Sequence, residues 1–167
     1  MNKKPFLFVL SALAFVGFLS IAAARAAVLK DTDALRGLTK AKAVFMIDVN
    51  NPQRVGHVLA VVGKTDTGMR AQGVKPEIVV VFVGPDVAFL TRDRRGISYM
   101  DERAVAGVQK AVQKLKGMGV KLQACGVALK GMDIAPSDVI PDVQPVGNGY
   151  ISAIGFQAKG YNLVPVY

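Results

Sequence analysis

The sequence predicts an α/β protein, a three-layer α/β/α sandwich built on a five-stranded parallel sheet. Three observations predict it. Apolar runs of strand length alternate with segments of helical periodicity from residue 43 to residue 166. The strongest run, Ile78–Val83, has six apolar residues and no polar break, which marks a central strand covered on both faces. Pro145 and Pro165 fall inside the last two strand-like runs. Proline cannot donate a ladder hydrogen bond, so these two strands belong at the sheet edges, with strands one, two and three between them. Alternating β and α elements imply right-handed crossovers.

Each element has its own signal. Residues 27–41 read as a lead-in with one helical turn around Asp33–Leu38. Ala43–Val49 is a near-continuous apolar run, the first strand. Asn51-Pro52 supplies a cap and a proline at the first helical position, and Val55, Val58, Leu59 and Val62 recur behind it at helical spacing. The second strand closes on Gly84-Pro85, and Asp86–Thr91 reads as a short helix. Ser98-x-x-Asp101 reads as a capping box. Behind it Ala104, Val105, Val108, Ala111, Val112 and Leu115 form an apolar stripe, ended by Gly117 and Gly119. In the third strand, Val120–Ala124, alternation puts Val120, Leu122 and Ala124 on one face and Lys121, Gln123 and Cys125 on the other. Val143–Val146 is a short fourth strand. Gly149–Lys159 is the last helix, and Leu163–Val166 closes the sheet.

The N-terminus is organised differently. Lys3 and Lys4 precede an apolar run from Pro5 to Ala24, and Ala24-Arg25-Ala26 is an A-x-A-like exit. These are the three parts of a signal peptide, residues 1–26, with cleavage expected after Ala26 or, second, after Ala24. The rival reading is an uncleaved anchor, because the run is near the lower length limit for a bilayer span. Cleavage predicts a periplasmic protein with no stable membrane association. The remaining chain has 18 basic and 12 acidic residues, a net charge of +6. The charges are scattered, the densest cluster being Arg92, Arg94 and Arg95 around Asp93. Without basic–aromatic interleaving, nucleic acid is not an expected partner; the charge serves solubility and biases the surface toward anions.

Candidate chemistry is sparse. Cys125 is the only cysteine and His57 the only histidine. No disulfide can form within the chain, and a structural zinc site needs about four N/S ligands. His57 lies off the apolar stripe of its helix and reads as a surface residue. The methionines are scattered and read as core filling, and Gly147-x-Gly149 does not make a dinucleotide motif. Cys125 stands at the carboxyl end of the third strand, where ligands bind in open α/β sheets. Gly126-Val127-Ala128-Leu129-Lys130 reads as a helix start, so amides at Gly126 and Val127, with Lys130, would favour a thiolate. The alternative is a small buried thiol filling a gap. Asp48 and Asn50 leave the first strand; Gly84-Pro85 leaves the second, beside Cys125. Gly84 reads either as a close-approach point for a ligand or as a plain turn.

Three segments in order, EIVVVFVGPDVAFLTRD, VKLQACGVALKGMDI and QAKGYNLVPV, resemble the DsrE/DsrF-like sulfur-relay family, which includes YchN-like proteins. The resemblance covers about residues 42–167. It implies a sheet order of 4-3-2-1-5, which agrees with the edges inferred from the prolines, and assembly as trimers or hexamers. It implies that Cys125 holds sulfane sulfur as a persulfide, passing it from a donor to an acceptor thiol without metal or organic cofactor. The alternative of another class is a non-catalytic oligomeric binding module with a structural cysteine. A hydrolase or transferase reading lacks an acid–base pair.

Overall fold

The computed structural model describes residues 29–94 and 96–167. The expected signal peptide with its cleavage point, and Arg95 of the basic cluster, lie outside the described residues. The chain divides after Lys30, and the α/β unit comprises residues 31–167.

The elements are α1 (Thr32–Leu35), β1 (Lys40–Ile47), α2 (Pro52–Ala71), β2 (Lys75–Phe82), α3 (Glu102–Gly117), β3 (Lys121–Cys125), α4 (Gly126–Gly131), β4 (Gln144–Val146), α5 (Gly149–Ala158) and β5 (Asn162–Val166). The five strands form one parallel sheet in the order β4-β3-β2-β1-β5. The prolines do stand on the two edge strands. Strands β1 and β2 begin three residues earlier than the apolar runs, because Lys40 and Lys75 pair before the chain turns apolar. β1 therefore takes in the last residues of the expected lead-in.

Two helix signals resolve differently from expectation. The segment after Gly84 is a 3-10 helix, Pro85–Leu90, tighter than an α-turn. The Ser98/Asp101 capping box does not form. Asp101 is itself the N-cap of α3 and makes no side-chain cap bond; its carboxylate instead accepts from Gln53 Nε2 of α2 at 3.2 Å. Ser98 Oγ accepts from the Met100 amide at 3.3 Å. The Asn51-Pro52 signal holds as expected: Asn51 caps α2 by accepting from the Arg54 amide at 2.8 Å.

The sheet divides the interior into two cores. On one face α2 and α3 cover Phe45, Ile47, Ile78, Val80, Phe82, Leu122 and Ala124. On the other, Val44, Val79, Val81, Val83 and Cys125 lie together, with Met46, Phe156 and Tyr161 against them. Alternation along each strand decides which residue enters which core. Phe82 is fully buried in the larger one. Phe82→Ala leaves a cavity there and should cost about 3–5 kcal/mol in urea denaturation at constant m-value.

Candidate functional site

The carboxyl ends of the strands bring Asp48, Gly84, Cys125 and the Gly147–Gly149 turn to one end of the sheet. Cys125 is the last residue of β3 and the N-cap of α4, but it makes no cap bond to α4. Its Cβ follows the strand alternation and points into the smaller core, where the residue is 1% exposed. There Sγ accepts a hydrogen bond from the Gly149 amide at 3.1 Å. The thiol is thus addressed by the N-terminus of α5 and not by that of α4.

Gly149 is required by this contact. A Cβ there would lie 2.7 Å from Val83 Cγ1, 3.0 Å from Cys125 Cβ and 3.1 Å from Val81 Cγ1. The absence of a side chain lets the first turn of α5 rest directly on the thiol. Asn148 fixes that turn, its side chain accepting from the Tyr150 amide at 2.9 Å. One turn on, Ser152 Oγ donates to Gln123 Oε1, so α5 is pinned to β3 at two points.

The other residues expected to serve Cys125 make different contacts. Val127 and Lys130 are exposed. Lys130, with Gly126, Leu129, Asp133, Pro145 and Val146, lines an open groove of about 780 Å³ between α4 and the β4 edge, and Cys125 takes no part in it. Gly126 packs against β4: a Cβ would lie 2.6 Å from the Val146 carbonyl oxygen. By register, Val83 stands opposite Cys125 and Gly84 opposite Gly126. The open side of Gly84 is filled by Asp48, whose Oδ1 lies 1.9 Å from where a Cβ would be. Gly84 therefore serves the approach of Asp48, not that of a ligand. Pro85 starts the 3-10 helix. Asn50 is exposed, one residue before the cap of α2, and His57 is exposed on α2. Among the described residues no three of His, Cys, Asp and Glu form a group able to hold a metal ion.

Sequence reasoning missed Asp86. Its side chain is buried, Oδ1 accepts from the Gly84 amide at 3.1 Å, and Oδ2 has no hydrogen-bond partner. Burial raises its pKa to about 7; the amides of Gly84, Val49 and Val87 oppose the rise, and the charge of Asp48 adds to it. An acid after Gly-Pro reads as a turn residue, so nothing local announces its burial.

The match to a family model decides the relationship. Residues 41–166 match the model of the DsrE/DsrF-like family. This chain belongs to the DsrE/DsrF-like family. Among solved structures, the fold is shared with MTH1491 from Methanobacterium thermoautotrophicum, described as a protein of unknown function. That match has 24% identity and a TM-score of 0.57, covering 75% of this chain and 98% of the other. It speaks to the fold alone. No curated protein matches. DsrE/DsrF-like membership suggests a role related to sulfur relay.

The raised pKa of Asp86 has a direct consequence for stability. Between the unfolded value of 3.8 and the folded value of about 7 the native state holds the extra proton. The contribution of this group to stability is therefore greatest below about pH 4, falls as pH rises to about 7, and is flat above. The full span is worth up to about 4 kcal/mol. Asp86→Asn should keep the bond from Gly84 and remove this slope, as read from urea midpoints at pH 4, 5.5 and 7.5.

Proposed function

We propose that this protein carries sulfane sulfur as a persulfide on Cys125 and passes it between a donor and an acceptor in sulfur relay. The observation that carries the reading is the Gly149 amide on Cys125 Sγ at the N-terminus of the ten-residue helix α5. An amide at a helix N-terminus favours an anion, and both thiolate and persulfide are anions. The family supports the class of chemistry, and the sequence leaves one sulfur nucleophile to perform it.

The step balances without an external oxidant. The Cys125 thiolate attacks the outer, sulfane sulfur of the donor. The donor's S–S bond breaks, the donor departs with the electron pair, and a Cys–S–S⁻ anion forms. An acceptor thiolate then attacks the outer sulfur, and Cys125 leaves as thiolate. Donor and acceptor are small molecules or protein thiols. No metal or organic cofactor enters. The thiol is enclosed, so the Asn148–Tyr150 turn must lift for sulfur to enter. In this reading the protein is periplasmic after loss of residues 1–26, free of the membrane and of nucleic acid, and assembles as a trimer or hexamer.

A second reading has one observation in its favour. Cys125 is buried among valines and does not line the groove at Lys130, the setting of an inert structural cysteine. The protein is then a binding module. Intact mass after exposure to polysulfide or thiosulfate separates the two. The persulfide reading expects a gain of about 32 Da, one sulfur atom, reversed by dithiothreitol and absent in Cys125→Ser. A folded protein that takes up no sulfur and resists alkylation is a binding module instead.

A further inference from the structure

The basic cluster of residues 92–95 does not stay together in the fold. Arg92 is exposed and donates to the Ser137 carbonyl at 3.4 Å. Arg94 turns instead to α3. Its Nη1 donates to the Glu102 carbonyl at 3.0 Å, and its Nη2 to Gln109 Oε1 at 3.3 Å. Gln109 is itself held, its Nε2 donating to the carbonyls of Phe89 and Thr91 at 3.1 and 2.8 Å. A half-buried guanidinium fixed in this way has already given up part of its rotamer freedom, before any ligand arrives.

Arg94 there joins two cations of α3. Val105, Val108, Val112 and Leu115 bury the inner side of that helix. On its outer side Arg103 and Lys110 are exposed, with Ala106 and Gly107 between them. Residues three and four apart are neighbours on a helix surface, so Arg103 and Lys110 both flank Gly107. A Cβ at Gly107 would meet nothing within 4 Å. The result is an open groove of about 450 Å³ whose floor is almost bare helix. Its walls are Arg94, Arg103 and Lys110, with the side-chain amides of Gln109 and Gln113. Among the described residues no carboxylate lines it, and none of the three cations has an ion pair. The nearest acids in sequence do not offset them. Asp101 accepts from Gln53, and Glu102 stays out of the lining. Residues 92–116 as a whole carry seven basic residues against three acidic ones.

We infer that this groove binds a polyvalent phosphate. The inference is independent of the sulfur reading and uses none of its residues. Cations that converge without a counter-ion call for an anion. Two of the three are arginines, whose planar fork pairs with the oxygens of phosphate or carboxylate. Phosphate brings more charge and more acceptor oxygens per group than carboxylate. Arg103 and Lys110 stand seven residues apart, about 10 Å along the axis. A ligand that reaches both therefore carries at least two charged groups. The lining has no aromatic or large apolar side chain, so nothing there stacks a nucleotide base or anchors an acidic peptide. Phosphate groups need neither.

The test is calorimetric titration of the full chain with tripolyphosphate at low ionic strength. The expected result is one site, at least about tenfold tighter than for inorganic phosphate and weakening as salt is raised. Arg103→Gln/Lys110→Gln should weaken it at least about tenfold. Gly107→Glu should do the same by placing a carboxylate over the floor. These positions are exposed, so the fold is retained, as circular dichroism will check. Lys40→Gln/Lys75→Gln removes two charges from an exposed cross-strand pair elsewhere and should change the affinity by no more than about twofold. Fructose 1,6-bisphosphate in place of tripolyphosphate tells phosphates spaced on a scaffold from directly linked ones; the tighter of the two names the source. A wild type that binds neither overturns the inference. So does an unchanged affinity in folded Arg103→Gln/Lys110→Gln, which places the anion elsewhere. An equal loss in Lys40→Gln/Lys75→Gln overturns it as well, since the attraction is then to total charge.

Discussion

The structure depends on β2 being buried on both faces. Val79, Val80 and Val81 are consecutive and fully buried. Consecutive strand residues point to opposite faces, so both layers have to be present for β2 to exist at all. In the order β4-β3-β2-β1-β5 this strand stands at the centre, and the prolines fit β4 and β5 to the edges. The division into a larger and a smaller core follows in turn, since each strand sends alternate residues to each side.

That same alternation determines the chemistry available at the sheet end. Cys125 belongs to the row of Val83 and Val146, on the α5 side. Had β3 paired with β2 one residue out of this register, the thiol would face the larger core under α2 and α3. As it is, the thiol meets a helix whose first residue has no side chain. The pair Asp48–Gly84 repeats the pattern one strand pair away, with a missing Cβ making room for a carboxylate. Glycine at these two places is a steric demand of the neighbour, not of the local backbone angles.

Much of this was legible in the residues. The Ile78–Val83 run, the α3 stripe, the Asn51-Pro52 start and the edge prolines each act over a few residues, and each appears in the structure where the pattern puts it. The hidden part depends on contacts distant in sequence. Gly149 reaches Cys125 across 24 positions, and Gly147-x-Gly149 invited only a nucleotide motif that it does not make. The one local sign was Asn148, a good cap residue at the helix start. Asp101 resembles half of a capping box, but Gln53, 48 positions away, takes its carboxylate. Lys130 is one turn along from Cys125 in sequence, yet the strand end and the helix start diverge, and its side chain belongs to the groove beside β4.

The enclosure of Cys125 turns a question of reactivity into one of timing. A reagent in solution meets Sγ only in the fraction of molecules whose first α5 turn has lifted. The observed rate is then the rate of the bare thiol multiplied by that fraction, in the manner of a protected amide exchanging its proton. The bonds that set the fraction are few: Gly149 to the sulfur, Asn148 to Tyr150, and Ser152 to Gln123. A clock made of three hydrogen bonds and one small helix exposes little surface when it opens, so it responds weakly to denaturant but directly to anything that grips α5. The sulfur itself can stay chemically ordinary while its exposure is regulated from outside.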